Sequence, residues 1–138
     1  MLNQFLTNVF MLRHNTYNFS FNLKGEGSSI FHKELKNDIA KLNEIYANLS
    51  ELIKKIGGYP IMNLDEIKSI SSIKEISSKD YTLKEALNIF LNDISIINNM
   101  NNQVGEYALK NYDIKSINLI LDFNSYFNER IWLLKIDK

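Results

Sequence analysis

From Ser28 to Ile56 the chain carries one unbroken helical pattern, entered through Gly25 and Gly27 and closed by Gly57-Gly58-Tyr59-Pro60. Phe31, Leu35, Ile39, Leu42, Ile45/Tyr46, Leu49, Leu52/Ile53 and Ile56 recur at helical spacing and draw a single apolar stripe. At about 1.5 Å per residue such a helix is on the order of 40 Å long. Pro60 fixes its stop, because the residue before a proline is pushed out of the helical conformation. Beside the core stripe runs a second line with mostly fourfold steps: His32, Lys36, Ala40, Asn43, Ala47 and Glu51. In an all-helical bundle a secondary stripe of this kind is where a partner subunit or a metal site sits.

The rest of the chain supplies partners of similar length. Leu2, Phe5, Leu6, Val9, Phe10, Leu12/Arg13, Thr16 and Tyr17 share one face of a first helix that runs to about Asn22. Gly25 and Gly27 allow a reversal, with Ser28 or Ser29 as the expected cap of the second helix. Asn63-Leu64-Asp65-Glu66 has the form of a capping box and opens a short helix across the connection. From Ser69 to Asp80 serine alternates with isoleucine and charge in a strand-like way, but no partner strand is present in the sequence, so the stretch reads as short helix and loop. Thr82-x-x-Glu85 is a second capping box. The helix it opens places Leu83, Leu87, Phe90, Leu91, Ile94, Ile97, Val104 and Ala108 on its core side. The polar run Asn98 to Gln103 is poor in helix formers and predicts fraying or a kink near Gly105. Asp113 is the expected cap of a last helix carrying Ile114, Ile117, Ile120/Leu121, Phe127, Ile131 and Leu134. The predicted helices cover residues 2–22, 29–56, 64–71, 82–109 and 113–135 of one domain spanning 1–138. The fold class is all-α: a four-helix bundle with a short helix in the crossover between the second and third long helices.

Composition narrows the chemistry. The 138 residues carry 16 basic and 16 acidic side chains, so no net field recruits nucleic acid. There is no cysteine, which removes disulfides, thiolate metal sites and cysteine nucleophiles together. The apolar start of the chain is broken by Asn3, Gln4, Thr7 and Asn8, which argues against a membrane span or a signal peptide and makes a cytoplasmic protein the expectation. No Gly-rich phosphate loop, Ser/His/Asp constellation or paired-histidine metalloprotease motif is present, and no organic cofactor is expected. Two histidines in all, His14 and His32, exclude multi-histidine metal sites.

Four short blocks of this chain resemble the Dps family of mini-ferritins, whose hallmark reads roughly His-Trp-Asn-Val-Lys-Gly, His-x-x-x-Asp, Asp-x-x-x-Glu and Gly-Gly-x-Pro. Ser20-Phe21-Asn22-Leu23-Lys24-Gly25 takes the first block, His32-x-x-x-Lys36 the second, Ala47-x-x-x-Glu51 the third and Gly57-Gly58-Tyr59-Pro60 the last, without a gap. Arg130-Ile131-Trp132-Leu133 is similar to the family's His-Ile-Trp-Met near the end of the chain. The resemblance implies a ferritin-like bundle that assembles through dimers into a dodecameric cage. It also implies a family role in iron sequestration, detoxification and stress protection, with Fe²⁺ oxidation at a di-iron site shared between two subunits.

Carried over position by position, that site is degraded. The first histidine corresponds to Ser20, the second histidine to His32, the first aspartate to Lys36, the second aspartate to Ala47 and the glutamate to Glu51. His32 and Glu51 survive as residual metal candidates from opposite subunits. Lys36 brings an ammonium where two hard cations need a bridging carboxylate. Ferroxidase activity is therefore expected to be weak or lost, with Lys36 pairing Glu51 across the interface in place of metal. Positions that face the family's mineral cavity are Lys33, Asn37, Lys41 and Asn48, with Glu44 the acid among them. The family's acidic pore corresponds to Leu109, Ile114 and Asn118, with Asp113 nearby. Tyr17 stands where many members carry a further histidine, on one stripe with His14 and Ser20, though a lone histidine there reads more simply as an ordinary hydrogen-bonded side chain. Trp132 reads as core or interface filling. The chain begins at its first helix and ends at Ile136-Asp137-Lys138, so no basic arm for DNA is expected, and Lys54-Lys55, Lys33 and Lys41 read as solvated faces. Two other roles compete with iron handling: a non-catalytic cage or interaction protein, and a DNA-associated structural protein.

Overall fold

In the computed structural model residues 2–111 and 113–137 are described, without the side chains of Tyr107 and Asp137; Met1 and Lys138, the ends of the expected domain, lie outside them. The helices are α1 (Leu2–Phe21), α2 (Ser28–Lys55), α3 (Leu64–Ile70), α4 (Leu83–Asn111) and α5 (Ile114–Asp137). α1 packs along α2, α4 along α5, and α1 also meets α4 and the short α3, giving the four-helix bundle with a helix in its crossover.

The apolar stripes meet at the bundle axis. Leu35, Leu42, Ile45 and Leu49 of α2 are fully buried against Phe5, Leu6, Val9 and Leu12 of α1 and Phe90, Ile94 and Ile97 of α4 within one core cluster. Phe5 stacks on Phe123 at 6.4 Å and meets Phe127 edge-on at 6.3 Å, while Phe19 meets Phe90 edge-on at 6.0 Å. Such aromatic pairs add to the burial they already bring. Several expected core positions lie at the surface instead. Tyr17, Ile56, Ile114, Leu121 and Trp132 are exposed, Trp132 at 62%, so Trp132 fills no core in this chain. Each lies on a helix face or end that no other helix of the chain covers.

The α1–α2 reversal differs from expectation in its cap. Gly27, at φ 81°, caps α2, and neither Ser28 nor Ser29 does. A side chain at Gly27 would also meet the Leu83 Cδ2 at 2.8 Å, so glycine serves both the left-handed turn and the close approach of α4. The other caps hold: Asn63 accepts from Glu66 N at 3.2 Å, Thr82 from Glu85 N at 3.2 Å and Asp113 from Ser116 N at 2.7 Å. α4 runs through the polar stretch and past Gly105 as one continuous helix. Ile97, Asn101, Val104 and Ala108 keep one buried face along it, and Asn98 bonds Asn128 of α5 at 2.8 Å, so packing overrides poor propensity.

The crossover lies against α1. A single parallel bridge joins Leu23 to Tyr81, with Lys24 N donating to Tyr81 O and Tyr81 N to Asn22 O, both at 2.9 Å. It ties the α1–α2 turn to the start of α4, which fixes the surroundings of His32.

Candidate functional site

The end of α1 and the first two turns of α2 form an open groove lined by Ser20, Phe21, Leu23, Ser28, Ser29, His32, Lys33 and Lys36. His32 is held firmly in it. Its Nδ1 lies 2.8 Å from the backbone oxygen of Ser20 and 3.2 Å from Ser20 Oγ. A carbonyl oxygen only accepts, so Nδ1 carries a proton and donates, which leaves Nε2 as the ring nitrogen turned to other partners. Phe21 meets the ring edge-on at 5.9 Å and is itself stacked on Tyr17 at 6.3 Å. This is the support a ligand histidine requires.

The rest of the groove works against a cation. Ser20 is 3% exposed and serves as support for His32. Lys36 is exposed one turn beyond His32, and no carboxylate lines the groove. One well-oriented imidazole beside two ammonium groups is a poor seat for Fe²⁺, whose bridging ligands are carboxylates.

Glu51 lies about 28 Å further along α2, at about 1.5 Å per residue. It lines a separate groove with Lys55, Asp113, Lys115 and Asn118, and Ala47 is exposed one turn before it. A single chain thus keeps His32 and Glu51 apart, and only a second copy can bring one to the other. No cluster of three or more metal-ligating side chains occurs among the described residues.

His14 does not join Ser20 and Tyr17. Its Nε2 lies 2.8 Å from Glu75 Oε2, and its ring stacks on Phe10 at 6.1 Å, which makes it a tether between α1 and the crossover. Glu44, which the resemblance assigns to the cavity side, pairs with Lys41 at 3.7 Å, and Lys41 reaches Asp122 at 3.3 Å. Leu109 and Ile114, which the resemblance assigns to the pore, are 69% and 76% exposed in the single chain. Asp113 is engaged as the cap of α5, where the Ser116 backbone N–H and then its hydroxyl hold the carboxyl below its ordinary pKa.

Polar groups the sequence reading passed over lie inside the bundle. Asp38 of α2 is 4% exposed and accepts from Arg130 Nε at 2.9 Å and from the Tyr126 hydroxyl at 2.6 Å. Burial raises the Asp38 pKa despite the opposing pull of Arg130 and Tyr126. Burial, then the negative charge of Asp38, pushes the Tyr126 phenol up. Asp93 of α4 is buried beside Asn15, and burial lifts its carboxyl to about 6. A signal was present for the first of these: Asp38 stands three residues after Leu35 and four before Leu42, on the buried face beside Ile39, where an acid needs a buried partner.

These features meet the comparisons with known proteins. Residues 1–136 match the ferritin-like domain family, and the chain belongs to it. Within that family it is a Dps-type mini-ferritin in fold. It is similar to Dps of Vibrio cholerae, at 19% identity with a TM-score of 0.91 over 98% of this chain and 84% of that one. It is also similar to CAIP of Helicobacter cinaedi, at 21% identity with a TM-score of 0.92 over 99% and 95%. Among characterised sequences, the DNA protection during starvation protein of Helicobacter pylori is 22% identical over 119 residues, 86% of this chain and 83% of that protein. The Vibrio protein is described as one of the ferritin-like diiron-carboxylate proteins. The residues this chain brings to the corresponding place do not fit a di-iron centre.

Proposed function

We propose that this chain is a shell-forming subunit of the Dps type, building a dodecamer from dimers in the cytoplasm. It retains the family's role in iron handling and stress protection at most weakly, with little or no Fe²⁺ oxidation of its own. The observation that carries this reading is the groove around His32, where a correctly supported imidazole faces Lys36 and no carboxylate. Two features of other regions support it. Lys41 lies beside the cavity-side Glu44 and offsets part of the acidic charge it shares with Asp122, and the pore positions Leu109 and Ile114 present apolar surface that does not focus a cation.

Native mass spectrometry of the purified protein before and after aerobic Fe²⁺ addition tests both halves at once. The expected result is a dodecamer mass that gains no more iron than a protein outside the family. A gain far above that control overturns the loss of ferroxidase chemistry, and a monomer mass overturns the shell.

A further inference from the structure

The second stripe of α2 is self-complementary when read against a reversed copy of itself. Lys36, Ala40, Asn43, Ala47 and Glu51 are all exposed. Neither Lys36 nor Glu51 makes an ion pair within the chain among the described residues. They lie about 22 Å apart on the helix, at about 1.5 Å per residue, with alanines between them. A twofold axis crossing α2 between Asn43 and Glu44 runs two such helices antiparallel, and an isologous contact of this kind pairs each residue reciprocally. One register then satisfies the whole stripe. Lys36 meets the partner's Glu51, Ala40 meets the partner's Ala47 so that the backbones approach closely, and Asn43 meets the partner's Glu44. One turn further out, His32 comes opposite the partner's Lys55. The exposed Tyr17–Phe21 stack flanks the Lys36 end and supplies apolar area beside the charges.

We infer that two copies of this chain associate through α2 about this axis, with Lys36 of each copy bound to Glu51 of the other, so that an ion pair stands where a metal-bridged interface would need carboxylates. The groove beside Lys36 holds cationic and hydroxyl groups and no carboxylate, and it is completed by the carboxylate of a second copy. The inference rests on the reading of the chain as a shell subunit, because it requires self-association. Closing the pair takes both charges out of water, so a single loss leaves an uncompensated charge at the contact.

Sedimentation velocity in EDTA tests this on the wild type, Lys36→Glu, Glu51→Lys and the double exchange, with circular dichroism verifying the helical fold of each. Both residues are exposed in the free chain, so folding is expected to be unchanged. Each single exchange places like charges together twice per twofold contact and is expected to weaken association at least about tenfold. The double exchange is expected to regain most of it, and Lys36→Ala is expected to weaken association more than Lys36→Ala with Glu51→Ala. Single exchanges that associate like wild type, or a double exchange no better than the worse single, overturn the pairing while leaving the shell in place. Loss of assembly in EDTA alone also overturns it, since metal then holds the contact. A monomeric wild type overturns the pairing and the shell together.

Discussion

Arg130 shows what a charge deep in this bundle requires of its neighbours. Its Nε lies 2.9 and 3.0 Å from the two Asp38 oxygens, and its guanidinium sits 5.6 Å over the Phe90 ring. Nη2 has no hydrogen-bond partner and approaches Glu34 only to 3.6 Å. Burial lowers the Arg130 pKa most, but the charge and hydrogen bond of Asp38 together with the charges of Glu34 and Tyr126 outweigh it and the net direction is upward. A buried pair of this kind contributes little net stability, yet losing one member is costly because the other stays buried and charged. Arg130→Met is therefore expected to destabilise the fold by about 3–5 kcal/mol in urea denaturation. Arg130→Met combined with Asp38→Leu is expected to recover most of that loss. A double variant as unstable as the sum of the two singles would show that the pair is not coupled. The same logic separates Arg130 from Lys36, whose side chain is exposed in the single chain and would lose water only in the proposed contact with a second copy.

At the scale of elements, α1 does two jobs with two sets of residues. Its apolar face enters the core, while its asparagines hold the crossover. Asn3 donates to Tyr59 O at 2.9 Å and accepts from Ile61 N at 3.0 Å. Asn8 accepts from Ser72 N at 2.7 Å, and Asn15 accepts from Ile76 N at 3.2 Å while donating to Lys74 O at 2.9 Å. Asn18 donates to Ile76 O at 3.2 Å. These bonds satisfy backbone groups of a segment with little helix of its own. Asp93 lies beneath this row and accepts from Asn15 at 3.5 Å. Its folded pKa of about 6 stands above the ordinary 3.8, so the stability it confers is complete below pH about 4 and is lost as pH rises through 6. Asp93→Asn is expected to raise stability at pH 7–8 by up to about 3 kcal/mol, at about 1.4 kcal/mol per pKa unit, and to flatten the slope between pH 4 and 6. Thermal denaturation across that range checks it, and an unchanged slope would place the titration elsewhere. The helices and the α2 stripe were legible in the sequence because hydrophobic period encodes which face is buried. The asparagine row was not: in the sequence Asn3 and Asn8 only interrupt an apolar run, and their partners lie more than fifty residues away. The supported histidine was legible as a residue at position 32, but its tautomer depends on the Ser20 carbonyl across a glycine turn, which no spacing reveals. The α2 cap was misread because Gly27 answers to Leu83 of a distant helix as well as to its own turn.

At the scale of the whole molecule, 16 basic and 16 acidic groups balance, and some of them pair on the surface. Lys24 pairs with Asp80 at 3.6 Å, Lys41 with Asp122 at 3.3 Å, Lys68 with Glu75 at 3.6 Å and Lys79 with Glu85 at 3.0 Å. Lys54 lies over the Tyr59 ring at 4.3 Å. Exposed pairs like these contribute little to stability. They engage four of the fourteen lysines, so it is the zero formal net charge of the subunit, and not pairing, that limits the displacement of counterions from a phosphate backbone, the term that dominates non-specific DNA affinity. A shell built from such subunits would be neutral as well, and the proposed Lys36–Glu51 contact would remove two further lysines from each twofold surface. Any retardation of linear DNA in a mobility-shift assay at low salt is therefore expected to vanish by about 0.15 M, where screening acts within about 8 Å. Retardation that persists at that salt, with a steep dependence of log K on log salt, would require a basic surface created by assembly. The same assay on Lys36→Glu would then tell whether that surface includes the α2 stripe, since a change there alters both association and phosphate affinity.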